Sequence, residues 1–514
     1  MTDFPVLTAL WLTPLIGALV VMLLPGGAQR AAKVVALATS LVVLGIAIAL
    51  AIGFESGGEQ YQFVESRQWI PAFGATYTLG LDGIKLVLIA LTAALMPLLL
   101  LAGWNDTEAD SGRRRPAHAY VALMLVTQAL VLIAFTTLDV LLFYVSFEAM
   151  LIPLYFLIGG FGGAGRAAAA LKFLLYNLFG GLVMLAAVIG LYALTASAGL
   201  GEDGAGTFDF RLITEAIATG ELEISPGVAT LLFAGFTLAF AIKAPLWPFH
   251  TWLPGAAVAA TPASAVLMMA VVDKVGTFAM LRYSLQLFPD AAQSMAPVLI
   301  TLAVISIIYG GLMAIAQTDV LRLVAYASVS HFGFIILGIF AMTDQAHAGS
   351  ALYMVNHGIA TAALFLVAAF LVRRHGTRDI ADYGGVQQVA PVLAGMFLIA
   401  GLATLSLPGL APFISEILVF IGTFGPYPVA AVLATSTFFL AAIYVLWTYQ
   451  RMMGGPVRGE LVGTPDLAPR ELTVLAPLVV ALIVLGVYPK PALEVIEPAV
   501  EHTLITVQIG GEGR

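Results

Sequence analysis

Cysteine is absent from this chain of 514 residues, and charged residues are scarce, at 10% of the total. Without cysteine there can be no disulfide, no thiolate nucleophile and none of the usual ligands of an iron–sulfur cluster. The scarcity of charge, beside 61% hydrophobic residues and a mean hydropathy of +1.00, excludes a water-soluble globule. What remains is a membrane protein that carries no electrons itself. We expect no cofactor, no metal and no nucleic-acid partner for this chain.

The beginning of the chain lacks the features of a cleaved signal. No Lys or Arg precedes the first hydrophobic stretch, and no small-residue cleavage site follows it. A secretory signal peptide normally has both features. We therefore expect residues 4–24 to remain as the first membrane-spanning segment.

Fourteen hydrophobic stretches account for most of the sequence, and each has the roughly 20 residues that a helix needs to cross a bilayer. We number them spans 1–14; they cover residues 4–24, 31–53, 84–103, 117–136, 138–158, 167–197, 228–259, 262–285, 294–316, 320–341, 349–372, 389–424, 428–450 and 471–488. Spans 7 and 12 are too long for one simple crossing, and both contain prolines. The pattern predicts an all-α polytopic membrane protein of about 14 transmembrane helices, forming one membrane domain over residues 1–514.

Basic residues predict the orientation of the chain. Of the 22 Lys and Arg residues, fourteen fall in or next to the loops between spans 1 and 2, 3 and 4, and every second loop thereafter, while six fall on the other side. Cytoplasmic loops carry an excess of basic residues. We therefore expect the fourteen, including the run Arg113–Arg115, to face the cytoplasm. Both termini would then lie on the periplasmic side of a bacterial cytoplasmic membrane.

Ionisable side chains lie inside these spans, where a bilayer tolerates them least. Glu148 is central in span 5 and Lys274 in span 8, while His331 and His357 lie mid-span in spans 10 and 11. A charge at the membrane centre costs roughly 2.5–3.5 kcal/mol on insertion scales. Several such residues together predict a path for ions or protons through the hydrocarbon. The alternative for each residue is a purely structural role in a buried ion pair or hydrogen bond.

Spans 7 and 12 share a proline-rich pattern with a charged residue close by. Span 7 contains Lys243-Ala-Pro-Leu-Trp-Pro-Phe-His250, and span 12 contains Leu407-Pro-Gly-Leu-Ala-Pro-Phe-Ile-Ser-Glu416. Proline removes a backbone donor and clashes with the preceding turn, so both helices should break here. Broken backbone within a membrane is tolerated only where it is buried in protein or lines a wet cavity. Lys243, Glu416 and, more weakly, His250 are therefore further candidates for the path.

The two breaks are five spans apart, which predicts an internal repeat. Spans 4–8, at residues 117–285, would form the first repeat, and spans 9–13, at residues 294–450, the second. Residues 1–103 and 471–488 would contribute flanking spans. Because five is an odd number, the second repeat would cross the membrane in the opposite direction, as in many secondary transporters. The alternative is a pair of unrelated proline kinks.

Lysine, glutamate and histidine favour protons as the cargo. Burial favours a neutral lysine and a nearby carboxylate favours a charged one, so a lysine with a movable glutamate partner is a switchable proton site. Histidine can pass protons between waters near neutral pH. Sodium is the alternative cargo, with backbone carbonyls at the broken helices as ligands. A solute transporter is the weakest reading, because no convergent set of arginine and aromatic residues marks a substrate pocket.

One stretch of the sequence resembles a known family. It is Lys243-Ala-Pro-Leu-Trp-Pro-Phe-His-Thr-Trp-Leu-Pro254, followed by Thr261-Pro262 and Asp273-Lys274-Val-Gly276. This stretch closely resembles the proton-translocating, antiporter-like subunits of respiratory complex I, and the similarity extends over nearly the whole chain. These proteins are related to subunits of multisubunit cation/proton antiporters, which are the alternative identity.

The resemblance implies a role for each of the ionisable residues that lie within or beside the spans. It assigns the switchable pair to Glu148 and Lys243, and the central relay to Lys274. It assigns the terminal proton site to Glu416 and weaker relay roles to three histidines, His250, His331 and His357.

Glu416 distinguishes among the members of this family, and Asp273 departs from the family pattern. Three sibling subunits of complex I share the pattern, and two of them, chains L and N, usually have lysine where this chain has Glu416, so the third sibling is implied. Asp273 departs from the family, which usually has an apolar residue there. Because Asp273 lies about 100° around the helix from Lys274, we expect it to be structural.

The resemblance also implies the molecular setting of the chain. NADH oxidation and quinone reduction would occur in other subunits, which would hold FMN and the iron–sulfur clusters. The expected partners are those subunits, especially the sibling chains L and N, together with protons and the lipid bilayer. Quinone would be reached only through the complex.

Overall fold

The computed structural model describes residues 4–107, 116–201 and 204–512. Arg113–Arg115, which we used to predict the orientation, lie outside these ranges. Within them, the chain is an all-helical polytopic membrane protein with one additional small hairpin.

Spans 1–3 are single helices, and a hairpin that the sequence analysis did not predict joins the second to the third. Contacts distant in sequence hold this hairpin in place. The Glu65 carboxylate accepts from the Leu7 N–H at 2.6 Å, and Asp139 accepts from the Thr76 N–H at 2.8 Å. The elements are α1 (Val6–Leu23), α2 (Gln29–Gly53), the antiparallel strands β1 (Gln62–Ile70) and β2 (Ala75–Leu81), and α3 (Gly83–Ala102).

Spans 4–8 contain the first broken helix and a span with two π-helical segments. Span 5 is formed by α5 and α6, span 7 by α9 and α10, and span 8 by α11, α12 and α13. The helices are α4 (Ala117–Thr136), α5 (Val140–Ala149), α6 (Leu151–Phe161), α7 (Arg166–Ser197), α8 (Phe210–Thr219), α9 (Pro226–Lys243), α10 (Leu253–Ala259), α11 (Pro262–Val266), α12 (Asp273–Ala279) and α13 (Leu285–Leu287). The π-helical segments are Leu267–Val272 and Met280–Ser284.

Spans 9–14 contain the second broken helix and are followed by a C-terminal helix that the sequence analysis did not predict. The helices are α14 (Pro289–Ile315), α15 (Val320–Ala341), α16 (Asp344–His375), α17 (Val386–Val389), α18 (Pro391–Thr404), α19 (Ala411–Phe424), α20 (Pro428–Ala434), α21 (Ser436–Met453), α22 (Pro469–Val487) and α23 (Lys490–Glu512). Helix α23 packs against α3, α14 and α16. One of its contacts is the hydrogen bond from Gln286 Nε2 to Thr503 Oγ1 at 3.1 Å.

The predicted number of crossings is confirmed. Among the described residues, 13 helical segments are long and apolar enough to cross a membrane, and two shorter apolar helices, α18 and α19, together form span 12. The ends of the unbroken spans differ from their predicted positions by at most five residues. Several spans start with proline, as at Pro226, Pro289 and Pro391, because a first-turn N–H has no intrahelical acceptor to lose.

Both predicted helix breaks are present. Helix α9 ends at Lys243 and helical structure resumes at Phe249, while α18 ends at Thr404 and α19 begins at Ala411. In the second break Gly409 has φ 94°, which a continuous α-helix cannot contain. The first break leaves Lys243 at the C-terminal end of α9, where the helix dipole favours a cation.

The connections before spans 5 and 10 have matching geometry. Asp139 pairs with Asp209 in an isolated β-bridge, and Asp319 pairs with Asp379 in the same way. Asp139 and Asp319 each cap the helix that begins the next span. Their partners each cap the short helix that follows span 6 or span 11. Like the two breaks, these two connections are five spans apart.

Spans 8, 10 and 11 form the interior of the helix bundle. The most hydrophobic window of span 8 is 100% buried, and those of α15 and α16 are 94% and 89% buried, against 33% for α1. Lys274, His331 and His357 lie on these three spans. They are therefore enclosed by helices of the same chain, which is the environment that a polar group needs at membrane depth.

Candidate proton pathway

Lys274 lies at the centre of the bundle and contacts a histidine of span 11. Its Nζ lies 2.7 Å from His357 Nδ1 and donates to the Met269 carbonyl at 2.9 Å. The π-helical segment before α12 changes the regular i−4 bonding, so a carbonyl five residues back can accept from this side chain. The ammonium also lies 4.3 Å from the centroid of the Phe332 ring. Lys274 is thus fully buried but has polar partners on two sides.

The other ring nitrogen of His357 contacts two hydroxyl groups. Its Nε2 lies 2.9 Å from Ser328 Oγ and 3.1 Å from Thr361 Oγ1. The two ring nitrogens therefore face different partners, one a lysine and the others hydroxyl groups. An imidazole in this position can accept a proton on one nitrogen and release it from the other.

A second cluster, formed by His331, Tyr353 and Glu416, lies beside His357. The His331 and His357 rings are 5.5 Å apart between centroids. His331 Nδ1 lies 2.5 Å from the Tyr353 hydroxyl, which donates to Glu416 Oε1. Because that hydroxyl has a single proton, its oxygen accepts from His331. The direct distance from His331 Nδ1 to Glu416 Oε1 is 3.7 Å.

Lys243 and Glu148 are neighbours without a direct ion pair. Lys243 Nζ donates to the carbonyl of Phe147, the residue before Glu148, at 3.0 Å, and lies 4.0 Å from the Phe147 ring centroid. Glu148 Oε1 is buried and has no hydrogen-bond partner in the described part of the chain. The carboxylate packs against Gly181 on α7, where any side-chain carbon would collide with it. The absence of a side chain at Gly181 thus provides the space that the carboxylate occupies, and no hydrogen bond among the described residues holds Oε1 there.

His250 lies apart from these clusters. It is 2% exposed, in the 3₁₀ turn that follows the break in span 7. Its ring centroid lies 5.0 Å from that of Tyr309 and 6.3 Å from that of Tyr326. Its Nδ1 is buried and has no partner among the described residues. Among the described residues, the ring contacts of His250 are with these two tyrosines, and none is with His331 or His357.

The structure brings most of the predicted residues into two groups. In the first group, Lys243 contacts the residue before Glu148, which is Phe147. In the second group, Lys274 is followed by three predicted residues, His357, His331 and Glu416, each close to the one before. Sequence reasoning missed Tyr353, which connects the last two. Its signal was its position, one helical turn before His357 on span 11 and therefore on the same face. Tyrosine is common in membrane helices, so position alone did not distinguish it.

Comparison with known proteins identifies the family of the chain. A family model described as "NADH:quinone oxidoreductase/Mrp antiporter, TM" matches residues 137–443. NADH-quinone oxidoreductase subunit M of Mycobacterium tuberculosis (strain CDC 1551 / Oshkosh) is 58% identical over 533 residues, which cover 99% of this chain and 95% of that protein.

Two solved structures share the fold. A chain in the structure of respiratory complex I from Thermus thermophilus with bound NADH has a TM-score of 0.86 and 31% identity, covering 98% of this chain and 99% of that one. A chain in the Mrp complex from Dietzia sp. DQ12-45-1b has a TM-score of 0.84 with the same coverage, but only 21% identity. The second similarity is evidence for the fold alone.

The fold and the enclosed row of ionisable residues define an antiporter-like membrane subunit, of the class shared by NADH:quinone oxidoreductases and Mrp antiporters. Within that class, the chain belongs to the NADH-quinone oxidoreductase subunit M family. The prediction of the third sibling, made from Glu416, is confirmed.

Proposed function

We propose that this chain translocates protons as subunit M of respiratory complex I, through the buried row from Glu148 to Glu416. NADH oxidation and quinone reduction take place in other subunits, which hold FMN and the iron–sulfur clusters. The nearest partners are the sibling subunits L and N. The complex lies in a bacterial cytoplasmic membrane, with both termini of this chain on the periplasmic side.

The contact between Lys274 and His357 is the observation that carries this proposal. A lysine Nζ lies 2.7 Å from an imidazole nitrogen in a span whose hydrophobic window is completely buried. When the Lys274 ammonium gives a proton to His357 Nδ1, the imidazole can release another from Nε2. The two histidine rings are 5.5 Å apart between centroids, a separation that one bridging water can span. From His331 the proton passes by way of Tyr353 to Glu416, the terminal site.

Glu148 and Lys243 form the switch at the start of the row. Glu148 near the Lys243 ammonium stabilises the charged lysine, and its withdrawal allows the lysine to release a proton. The Oε1 of Glu148 has no hydrogen-bond partner among the described residues, and this supports such a movement. Lys243 is held by its hydrogen bond to the Phe147 carbonyl, so the glutamate is the partner that moves. His250 supplies protons to Lys243 from the side of Tyr309.

We further propose that residues 117–285 and 294–450 are inverted repeats. The two proline breaks and the two aspartate bridges, Asp139–Asp209 and Asp319–Asp379, support this because each pair is five spans apart. An inverted repeat places one broken helix in each half of the domain. Each half then presents one charged residue, Lys243 or Glu416, beside its break.

The second candidate function is that of a subunit in a stand-alone cation/proton antiporter. The family model favours it, because its description includes the Mrp antiporter, but the 58% identity to a subunit M favours complex I. Purification of the chain with its native partners decides between them. Flavin and iron–sulfur proteins in the purified complex are expected. Companions that are all small membrane subunits would support the antiporter.

Glu148→Gln should abolish most proton pumping, whereas Glu148→Asp should lose less. Glutamine keeps the shape of the side chain but cannot supply the charge that tunes Lys243, and a positioned proton-transfer group contributes roughly 10²-fold or more. NADH-driven proton uptake in membrane vesicles measures the effect. Glu501→Gln, an exposed change on α23, serves as the control. Unchanged pumping in Glu148→Gln would reduce the pair to a structural role.

Tyr353→Phe should lower coupled quinone reduction about tenfold while the complex assembles normally. Phenylalanine preserves the packing but removes the hydroxyl that joins His331 to Glu416. The 3.7 Å direct distance between those two leaves a slower route, so the loss should stay below the roughly 10²-fold expected for a full proton-transfer group. The matched control is Tyr488→Phe, at a residue that is 59% exposed. Wild-type rates in Tyr353→Phe would show that the tyrosine is not part of the proton pathway.

A further inference from the structure

Asp273 is a completely enclosed carboxyl group that the fold does not explain. It begins α12 and is 1% exposed. Neither of its carboxylate oxygens has a hydrogen-bond partner in the described ranges. Burying a carboxyl group without partners is unfavourable. The structural role that we expected for Asp273 would require a bond, and none is formed.

The side of α12 that carries Asp273 packs against the end of α9. Asp273 and Gly276 are three residues apart and therefore share a helix face. At Gly276 the helices nearly touch, since a side-chain carbon there would lie 2.8 Å from the Ala244 nitrogen and 2.9 Å from the Phe240 carbonyl oxygen. Lys243, the last residue of α9, lies between Phe240 and Ala244 in the sequence. The start of α12, with Asp273 and Lys274, therefore lies beside the end of α9, which carries Lys243.

The proposed proton pathway has a gap between Lys243 and Lys274. Lys243 donates to the Phe147 carbonyl, whereas Lys274 donates to the Met269 carbonyl and contacts His357. Among the described residues no hydrogen bond joins the two lysines, so a proton that leaves the Lys243 ammonium needs a carrier to reach a neutral Lys274 amine. A carboxylate between them can accept from one and, once protonated, donate to the other.

We propose that Asp273 carries the proton between Lys243 and Lys274. This inference rests on the proposed function and deepens it. In the first step the Lys243 ammonium gives its proton to the Asp273 carboxylate, which leaves a neutral amine and a carboxylic acid. In the second step the acid gives that proton to the neutral Lys274 amine, which restores the carboxylate. Net charge is conserved in each step, and Lys274 is then charged for transfer to His357.

Three variants of the intact complex test the proposal: Asp273→Asn, Asp273→Glu and, in parallel, Lys243→Ala. We expect Asp273→Asn to assemble on native gels and to lose about tenfold in coupled quinone reduction and proton uptake, because water replaces only part of a carboxyl relay. Asp273→Glu should keep most of the rate. Asp290→Asn, the same change at an exposed aspartate on α14, is the matched control.

Infrared difference spectroscopy during turnover detects protonation of a carboxylate directly. A purely structural Asp273 would give no such signal. A carboxylic acid band should be transiently present in the wild type, shifted in Asp273→Glu and absent in Asp273→Asn. If Asp273→Asn fails to assemble, the shifted band in Asp273→Glu still tests the proposal, and an unshifted spectrum overturns it.

The outcomes separate this inference from the proposed function. Wild-type rates in Asp273→Asn together with an inactive Lys243→Ala would overturn the role of Asp273 and leave the pathway standing. Wild-type rates in both variants would overturn the pathway itself.

Discussion

Lys243→Ala is expected to abolish proton pumping and the quinone reduction coupled to it, with a loss of roughly 10²-fold or more. The side chain is 1% exposed and ends α9 at the break, where the helix dipole favours its charge. Alanine can neither hold nor release a proton at this point. Protons that enter on the Glu148 side then have no carrier toward Lys274. NADH-driven acidification in vesicles, with native gels for assembly, measures the effect.

Assembly should survive the change at Lys243. The variant leaves the Phe147 carbonyl without its lysine donor, which costs about 1–3 kcal/mol. It also removes a buried charge, whose desolvation is itself costly. The control is Lys490→Ala, whose side chain is 68% exposed. Near-normal acidification in an assembled Lys243→Ala complex would contradict the proposed function.

Changes at Glu416 should have the next largest effects, and they depend on the chemistry of the replacement. Glu416→Asp should keep much of the activity because a shorter carboxylate still titrates. Glu416→Gln should be severely impaired, since the amide oxygen can still accept from Tyr353 but the group cannot release a proton. Equal activity of the two variants would exclude Glu416 from the pathway.

Glu416→Lys tests whether negative charge is needed at this position. The sibling subunits usually have lysine here, so a site that only needs to titrate would tolerate the change in part. In this chain, however, Glu416 Oε1 accepts from Tyr353 and lies 3.7 Å from His331. A lysine offers no acceptor there, and an unpaired buried charge costs about 3–5 kcal/mol. We therefore expect Glu416→Lys to be inactive, as measured by quinone reductase rate and proton uptake.

Much of the fold could be predicted because hydropathy acts locally along the chain. A stretch of about 20 apolar residues must become a helix in a bilayer, since no other single segment satisfies its own backbone there. Proline pairs likewise break a helix wherever they fall, as beside Lys243 and Glu416. The hairpin and α23 could not be predicted in this way. Their short or mixed patterns are stabilised by distant partners such as Asp139 and Gln286.

The candidate site was predictable as a set of residues but not as a sequence of contacts. An ionisable residue in a span is expensive, so Glu148, Lys243, Lys274 and Glu416 stand out in the sequence alone. Which atoms meet depends on how each helix is rotated about its axis. That rotation gives Lys243 a carbonyl as its partner and leaves His250 among tyrosines.

The sequence by itself thus determined the membrane class, the spans, the two breaks and the family, because each follows from local composition or from a motif. Only the tertiary structure decided that Tyr353 joins His331 to Glu416, and that Asp273 is buried with no hydrogen-bond partner among the described residues. The physical reason is that helix packing brings Tyr353 to His331 and Glu416 across 22 and 63 residues of sequence, while Asp273 directly follows a π-helical segment of a fully buried span.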